Sequence, residues 1–430
     1  MKPILQVALD FDNLSRALKL ASEAMAGGAD WLEAGTPLIK SEGLNAVRAL
    51  RRSFPAVTLV ADMKTLDAGR MEMEMAAKAG ANIAVVMAAA SEATLRECCE
   101  AGRNYGIQVA VDILNVQNPV EAARLAEACG AHHVSVHLPV DEQMQGRDPF
   151  DLLRKVRNAV RIPVAVAGGL NSETAPKAVE AGADIVIVGG AVTKSRDACD
   201  ATRTIKRAIE SLEAIPSDLF KRVTEENIRE ILEKVSTANV SDAGHRLPGL
   251  AGLRPIAPGM KTVGPALTVR TYPGDWAKPV EALDRAAVGQ VIVVDAGGQP
   301  PAVWGELATN SAVQRKVAGL VVWGAVRDVA DILELRFPVF AAHVCPNAGE
   351  PKGFGEIGVP IRIAGVTIET DDWVVADDDG VMVLPRLRAV ELANRAMDCL
   401  ERENRLREEI VSGRSTLSQV MELLRWEKSQ

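Results

Sequence analysis

Short apolar runs alternate with amphipathic stretches along the first half of the chain. The runs lie at residues 5–10, 57–64, 108–114 and 163–168. They are dominated by Val, Ala, Ile and Leu, the composition of strands buried on both faces of a parallel sheet. Stretches such as 14–25 and 118–128 have the apolar spacing of helices that cover such strands. The pattern predicts repeated strand–helix units.

A glycine recurs where these helices are expected to end. The four positions are Gly28, Gly80, Gly130 and Gly182. They lie roughly 50 residues apart, about twice the length of one βα unit, and each precedes a new apolar strand. Eight strands and eight helices in about 210 residues predict an α/β fold, a closed (β/α)8 TIM barrel over residues 1–212. A doubly wound open sheet is the alternative, but eight units of one rhythm favour closure.

The repeat ends near Pro216, and a different pattern follows. Residues 213–235 are predicted to form a helical linker, and residues 236–430 a second domain, an α/β sandwich with charged helices at 386–425. Its expected strands lie at residues 263–272, 291–295, 319–323 and 373–376.

Composition narrows the classes of function. The 430 residues carry a formal net charge of −8, which argues against binding to nucleic acid or to an anionic membrane surface. No apolar run reaches the roughly 18 residues of a transmembrane helix, and no signal peptide is recognised, so a cytoplasmic location is expected. The six cysteines form no CxxC pair, so neither disulfides nor zinc are expected.

Ionisable residues recur at the carboxyl ends of the predicted barrel strands, where barrel enzymes carry their chemistry. They are Asp10, Glu33, Asp62, Lys64, Asp112 and His137. Asp62 and Lys64 are two residues apart on one strand, so both should face the barrel interior. A structural ion pair is the alternative, but the carboxylates outnumber the lysine. A hard divalent cation such as Mg²⁺ would relieve their repulsion.

Glycine pairs end the last two barrel strands. Gly168 and Gly169 follow strand seven, and Gly189 and Gly190 follow strand eight, where barrels commonly bind phosphate through backbone amides. A small phosphorylated substrate is therefore expected. His132 and His133 begin strand six at the opposite face and are expected to be structural.

Residues 1–209 resemble the 3-hexulose-6-phosphate synthases of the orotidine-monophosphate-decarboxylase superfamily. The likeness rests on the Asp62-x-Lys64-x-x-Asp67 motif and on the segments at 5–10, 33–37, 111–116 and 136–137. It implies a reversible, Mg²⁺-dependent aldol reaction of ribulose 5-phosphate with formaldehyde, with Mn²⁺ as the substitute metal. Glu33 and Asp62 would hold the metal. The catalytic residues would be Asp10, Lys64, Asp67, Asp112 and His137, with Asp67 reaching the site of a neighbouring subunit in a dimer.

The related 3-keto-gulonate-6-phosphate decarboxylases are the alternative. They typically carry Glu where Asp112 stands and an Arg shortly after the histidine, whereas His137 is followed by Leu-Pro-Val here. Both positions favour the aldolase. The chain also departs from the synthases, because Leu138-Pro139 replaces a Thr-Gly-like pair and Ala191 replaces a third glycine.

Residues 236–385 resemble the family of the regulator of ribonuclease activity A, which includes aldolases and decarboxylases of keto acids. The segments that carry the likeness are Gly305-Glu306-Leu307-Ala308, Gly324-x-x-Arg327-Asp328 and residues 376–381. The resemblance implies that the 305–308 amides and Arg327 bind a pyruvate-like acid, that Asp328 holds Mg²⁺, and that the domain forms trimers or hexamers.

Two alternatives to a second active site, and one to an enzyme as a whole, remain open. The 305–308 segment and the Arg-Asp pair could be a helix start beside a surface ion pair, or the domain could be a non-catalytic module that docks on a ribonuclease or builds the oligomer. In the third, the whole chain is a scaffold with a decayed barrel, which the intact set of ionisable residues argues against.

Overall fold

The computed structural model describes residues 2–217 and 221–421 in two compact units. The first comprises the described parts of Met1–Gln143, Arg147–Arg222 and Glu401–Gln430, and the second comprises Met144–Gly146 and the described part of Val223–Leu400. This division differs from the predicted boundaries because the end of the chain groups with the barrel. Within the expected linker, only Ile228–Leu232 is helical among the described residues.

The first unit contains a closed barrel of eight parallel strands in chain order, as predicted. The strands are β1 (Ile4–Leu9), β2 (Trp31–Ala34), β3 (Thr58–Thr65), β4 (Ile83–Met87), β5 (Gln108–Asp112), β6 (His133–His137), β7 (Val164–Ala167) and β8 (Ile185–Val188). Strands β1 and β8 pair and close the barrel.

Helices cover the outside of this barrel. They are α1 (Leu14–Ala26), α2 (Thr36–Glu42), α3 (Asn45–Ser53), α4 (Gly69–Ala79), α5 (Glu92–Tyr105), α6 (Pro119–Cys129), α7 (Val140–Met144), α8 (Phe150–Arg157), α9 (Ala175–Glu180), α10 (Gly190–Thr193) and α11 (Ala198–Ser211). The four recurring glycines all have φ between 92° and 102°, a left-handed conformation that ends a helix without steric cost only for glycine. The apolar faces of strands and helices meet in one continuous core.

The second unit is built on a mixed sheet in the order β19-β18-β10-β11-β13-β14-β9, with β12 beside β13 and β15 beside β10. Its strands are β9 (Arg254–Pro255), β10 (Thr262–Arg270), β11 (Val291–Asp295), β12 (Ala302–Trp304), β13 (Gly319–Val326), β14 (Val339–Val344), β15 (Glu356–Ile357), β16 (Ile361–Ile363), β17 (Val366–Ile368), β18 (Trp373–Asp377) and β19 (Gly380–Leu384). Strands β16 and β17 form a separate hairpin. The prediction of an α/β domain here is confirmed.

The remaining helices are α12 (Ile228–Leu232), α13 (Thr237–Ala243), α14 (Ala277–Arg285), α15 (Glu306–Gln314), α16 (Val329–Glu334), α17 (Ala389–Gly413) and α18 (Leu417–Val420), with a 3₁₀ turn at Arg386–Arg388. The charged helices predicted for 386–425 match as far as residue 421, and the rest of that range lies outside the described residues. Among the helices of the described chain, none is both long and apolar enough to cross a membrane.

Candidate active site

A chain of polar contacts joins three strands at the carboxyl end of the barrel. The Nζ atom of Lys64 lies 3.1 Å from Oδ2 of Asp62 and 3.1 Å from Oδ2 of Asp112. Asp112 also contacts Nδ1 of His137 at 3.0 Å. The structure therefore brings together Asp62, Lys64, Asp112 and His137, four of the residues that the strand-end pattern singled out.

Lys64 reaches this position through an irregularity in β3. The pairing of β3 with β4 shifts register between Ala61 and Thr65, and Lys64 has φ 47°, in the left-handed region. A bulge of this kind redirects a side chain at some cost in backbone energy, and such bulges are common beside active sites. The predicted proximity of Asp62 and Lys64 is correct, but simple strand alternation is not how it arises.

The balance of neighbouring charges determines the protonation states of Lys64 and Asp112. Burial alone would lower the pKa of Lys64, but Asp62 and Asp112 raise it above its ordinary value, so Lys64 remains an ammonium. Burial alone would raise the pKa of Asp112, but the hydrogen bond and charge of His137, together with Lys64, lower it. Because Asp112 is then a carboxylate, it accepts the hydrogen bond from Nδ1 of His137, and Nε2 is the ring nitrogen that takes no part in this contact.

Glu33 is also buried, and it accepts a hydrogen bond from Nε2 of Gln6. Burial raises the pKa of Glu33 well above its ordinary value, and the negative charges of Asp62 and Asp10 add to the effect. The charges of Asp62 and Asp10 therefore act on Glu33. The positive charge of Lys64 opposes the rise in the pKa of Glu33.

Asp10 lies in the open mouth of the barrel. A Cβ atom added at Gly35 would fall 2.2 Å from Oδ1 of Asp10, and one added at Gly189 would fall 3.2 Å from Oδ2. A larger residue at either position would therefore crowd the carboxylate. The side chain reaches solvent, but surrounding protein removes part of its hydration. This desolvation, followed by the charge of Asp62, raises the pKa of Asp10, while His137, Lys64 and Lys194 oppose the shift.

Among the described residues, no group of three or more His, Cys, Asp or Glu side chains is arranged to hold a metal ion on its own. Glu33 and Asp62 offer two carboxylates, and a hard divalent cation is commonly held by one or two carboxylates together with water and substrate oxygens. Burial, together with the negative charges of Asp62 and Asp10, raises the pKa of Glu33, and a bound cation would oppose that rise.

The glycine pairs lie at the same end of the barrel. Gly168 and Gly169 have φ of 106° and 72°, and the buried Gln143 packs against them while its amide donates to the Leu138 carbonyl at 2.8 Å. Gly189 and Gly190 lead into the single turn of α10. A side chain at Gly168 would collide with the Leu138 carbonyl oxygen at 2.7 Å, so the loops after β6 and β7 require a glycine there.

Asp67 does not join the cluster. It is exposed, and its Oδ1 accepts a hydrogen bond from the backbone N–H of Ala68 at 2.7 Å. At the start of β6, Nδ1 of His132 accepts from the backbone of Val109 at 3.0 Å, and His133 is buried with its ring centroid 6.3 Å from that of Trp31. These contacts support the expectation that both histidines are structural.

In the second unit, the end of β13 meets the start of α15. Oδ2 of Asp328 accepts a hydrogen bond from the N–H of Glu306 at 3.1 Å and lies 3.6 Å from Nε of Arg327. A Cβ atom at Gly305 would lie 2.4 Å from this same oxygen, which explains the glycine. Leu307, in the first turn of α15, is 80% exposed. Asp328 therefore caps α15 in this structure, beside the half-exposed guanidinium of Arg327.

Comparison with known proteins follows the same division. Residues 3–205 match the model of the orotidine 5'-phosphate decarboxylase / HUMPS family. The 3-hexulose-6-phosphate synthase of Bacillus subtilis (strain 168) is 34% identical over 206 residues, which are 48% of this chain and 98% of that protein. The synthase of Mycobacterium gastri is 36% identical over 207 residues, 48% of this chain and 99% of that protein.

The chain belongs to the orotidine 5'-phosphate decarboxylase / HUMPS family. Residues 237–383 match the RraA-like family model (Aldolase/RraA), so the chain joins a HUMPS-family barrel to an RraA-like domain, as predicted. The solved 3-keto-L-gulonate-6-phosphate decarboxylase of Vibrio cholerae is 26% identical, with a TM-score of 0.44, and the match covers 50% of this chain and all of that one. The synthase relatives confirm the prediction of a carbon–carbon lyase.

Four residues of the HUMPS-family barrel were missed by sequence reasoning. They are Gln6, Thr36, Gln143 and Lys194. Thr36, the first residue of α2, donates through Oγ1 to Oδ2 of Asp62 at 2.6 Å. Gln6 and Gln143 are uncharged, so the pattern of ionisable residues at strand ends did not single them out, although Gln6 lies in the segment 5–10 that carries the resemblance. Lys194 follows the second glycine pair by four residues, and this position beside a predicted phosphate loop was the available clue.

Proposed function

We propose that the barrel catalyses the reversible aldol reaction of ribulose 5-phosphate with formaldehyde, giving 3-hexulose 6-phosphate. The observation that carries this proposal is the position of Lys64, a half-buried ammonium 3.1 Å from both Asp62 and Asp112. A fixed cation of this kind stabilises the oxyanion that forms when a proton leaves the carbon next to a carbonyl. The name of the relatives supports the choice of substrate.

Glu33 and Asp62 would hold a divalent cation, Mg²⁺ or Mn²⁺ in its place. When bound, this cation polarises the oxygen atoms of the substrate and so makes the neighbouring C–H bond more acidic. Thr36 supports the arrangement, because its hydroxyl orients one oxygen of Asp62.

The chain's own residues supply the proton transfers. Nε2 of His137 takes the proton from C1 of ribulose 5-phosphate, and the C–H electron pair forms an enediolate whose oxygen is neutralised by Lys64. C1 then attacks formaldehyde and forms the new C–C bond. The former aldehyde oxygen recovers the proton from His137, so no net proton is consumed. Asp112 holds the ring of His137 and stabilises its protonated form.

Asp10, at the mouth, contributes to this polar environment, and a side chain at Gly189, which precedes α10, would lie against its carboxylate. The amides around Gly168, Gly169, Gly189 and Gly190 bind the phosphate group. Asp67 acts in the site of a neighbouring barrel, a role that its exposed position supports. The barrel is therefore a dimer in this proposal, the RraA-like domain forms trimers or hexamers, and the protein is cytoplasmic.

The test is formaldehyde consumption by the full chain with ribulose 5-phosphate and Mg²⁺, with and without EDTA. We expect metal-dependent consumption that Asp62→Asn abolishes. Asp151→Asn, at an exposed aspartate 89% accessible to solvent, should leave it unchanged. Folded protein that consumes no formaldehyde would refute the proposal. Release of carbon dioxide from a 3-keto-sugar-acid 6-phosphate would then identify the alternative decarboxylase.

For the second unit, we propose a site for a small pyruvate-like acid in a second aldolase or decarboxylase reaction. The amides of Gly305, Glu306, Leu307 and Ala308 and the guanidinium of Arg327 would bind its carboxylate, and Asp328 would hold Mg²⁺. The contact of Asp328 with both Arg327 and the start of α15 supports this grouping.

Thermal unfolding of the full chain tests this second site. The Asp62→Asn background removes the proposed metal site of the barrel. In that background, Mg²⁺ with pyruvate should raise the melting temperature, and Asp328→Asn should abolish the rise. Asp331→Asn, an exposed carboxylate on α16, is the matched control. No stabilisation in either protein would favour a regulatory or oligomer-forming module.

A further inference from the structure

The segment 401–413, which follows the second unit in the sequence, belongs to the first unit and carries a buried arginine. The side chain of Arg405 is only 5% exposed. Its two terminal nitrogens lie 3.0 and 3.1 Å from the two carboxylate oxygens of Glu23 on α1, and its Nε donates to Glu409 at 2.8 Å. Planar, two-pronged pairing of this kind holds a side chain in one geometry.

Arg405 also reaches the backbone of the loop after β8. Its Nη1 atom lies 3.4 Å from the carbonyl oxygen of Ser195 and 3.3 Å from that of Arg196. Ser195 and Arg196 lie at the end of the segment 189–196, which begins with the glycine pair Gly189 and Gly190. The buried guanidinium thus supplies hydrogen-bond donors to the end of a loop whose beginning carries a predicted phosphate-binding pair.

The stretch between those two ends is short and internally bonded. The N–H of Lys194 donates to the Gly190 carbonyl at 3.0 Å, and Oγ of the buried Ser195 donates to the Val192 carbonyl at 2.8 Å. Because α10 is a single tight turn, a shift of Ser195, two residues after its end, would be transmitted to its start at Gly190.

Glu409 extends the same network toward the first strand. It lies 3.0 Å from Nε of Arg16 on α1, and the Arg16 guanidinium stacks 5.2 Å from the Phe11 ring, next to Asp10. The positive charges of Arg405 and Arg16 are balanced by Glu23 and Glu409. Arg405 therefore has little unpaired charge with which to attract a phosphate itself, and its effect must act through the backbone that it holds.

We propose that Arg405 is a positioning residue that fixes residues 189–196 for the phosphate group of the substrate. The inference rests on the proposed function of the barrel and deepens it. The segment 401–413, which follows the second unit in the sequence, thus supports the backbone of the phosphate subsite.

The experiment uses the full chain with Mg²⁺ and compares Arg405→Ala, Arg405→Lys and Arg407→Ala. Arg407 is an exposed arginine on the same helix, and it donates a hydrogen bond to the nearby Asn404 at 2.6 Å. We expect Arg405→Ala to raise KM for ribulose 5-phosphate about tenfold, the scale of a misplaced binding group, with kcat within about twofold. The inhibition constant of inorganic phosphate should rise by the same factor. Arg405→Lys should give a smaller rise, and Arg407→Ala none.

Unchanged KM and phosphate inhibition in Arg405→Ala would overturn the proposal, as would a fall in kcat alone, which would indicate a merely structural role. If Arg405→Ala does not fold, Glu23→Gln serves instead, because it weakens the hold on Arg405 without removing the arginine. If the wild type consumes no formaldehyde, the proposed function fails on its own. Calorimetric binding of inorganic phosphate then still tests Arg405, and wild-type binding that is absent or insensitive to Arg405→Ala overturns the inference.

Discussion

Lys64 is the residue on which the proposed chemistry depends most directly. Replacing it by Ala removes the ammonium that Asp62 and Asp112 share. We expect kcat to fall about 10²- to 10³-fold, the usual cost of losing one preorganised group that stabilises an oxyanion. Steady-state formaldehyde consumption measures the effect. Lys78→Ala removes an exposed lysine paired with Glu74 and should leave kcat unchanged. Activity of Lys64→Ala within tenfold of wild type would assign the oxyanion to another group.

His133 gives a prediction about acid stability. Burial, followed by the charge of His132, lowers the pKa of His133 from 6.5 to about 4. The unfolded chain therefore binds a proton at a higher pH than the folded chain does. This histidine favours the folded state fully above pH 6.5, and that contribution is lost as the pH falls toward 4.

The contribution of His133 amounts to about 3 kcal/mol across that interval, since each pKa unit corresponds to about 1.4 kcal/mol. Urea unfolding of wild type and His133→Gln at a series of pH values measures it. The wild type should lose about 3 kcal/mol more stability than the variant between pH 6.5 and 4. Parallel pH profiles would show that His133 is protonated equally in both states.

At the scale of single elements, β3 shows what the sequence could and could not predict. The apolar run and the Asp62-x-Lys64 spacing were enough to place both side chains at one strand end. The bulge and the left-handed backbone at Lys64 were not predictable, because they depend on pairing with β4 rather than on the residues of β3 alone. The ends of the other predicted strands lie within two residues of the observed ends, except that β13 extends to Val326 rather than 323.

The start of α2 carries a further prediction. Thr36 donates to Asp62 and to the backbone carbonyl of the same residue at 2.9 Å, so its hydroxyl orients a proposed metal ligand. Thr36→Val keeps the branched shape but loses this donor. We expect the Mg²⁺ concentration for half-maximal activity to rise about tenfold, as for other groups that orient metal ligands. Thr36→Ser should restore it. An unchanged Mg²⁺ requirement in Thr36→Val would mean that Asp62 needs no such support.

At the scale of the whole molecule, the two domain types were predictable, because the first repeats a strand–helix pattern and the second carries motifs of its own. The unit to which the end of the chain belongs was not predictable. Helix α17 has an ordinary charged sequence, and the role of Arg405 depends on Glu23 and on the loop after β8, which lie far away in the sequence. Long-range partners of this kind leave no periodic signal, so residues 401–413 were assigned by proximity in sequence to the domain before them.

Truncation makes that difference measurable. A chain that ends at Leu400 loses Arg405 and Glu409, which leaves Glu23 and Arg16 without these partners and removes the donor to the Ser195 and Arg196 carbonyls. A chain that ends at Gly413 keeps all of these contacts and is the matched control. Losing a buried, hydrogen-bonded ion-pair network typically costs about 3–5 kcal/mol, enough to lower the melting temperature of the barrel by several degrees. Differential scanning calorimetry of the two truncations and the full chain should show the barrel transition lowered only in the shorter one. Equal melting of both truncations would mean that the barrel folds without the segment, and the expected domain boundary at 212 would then be the energetically relevant one.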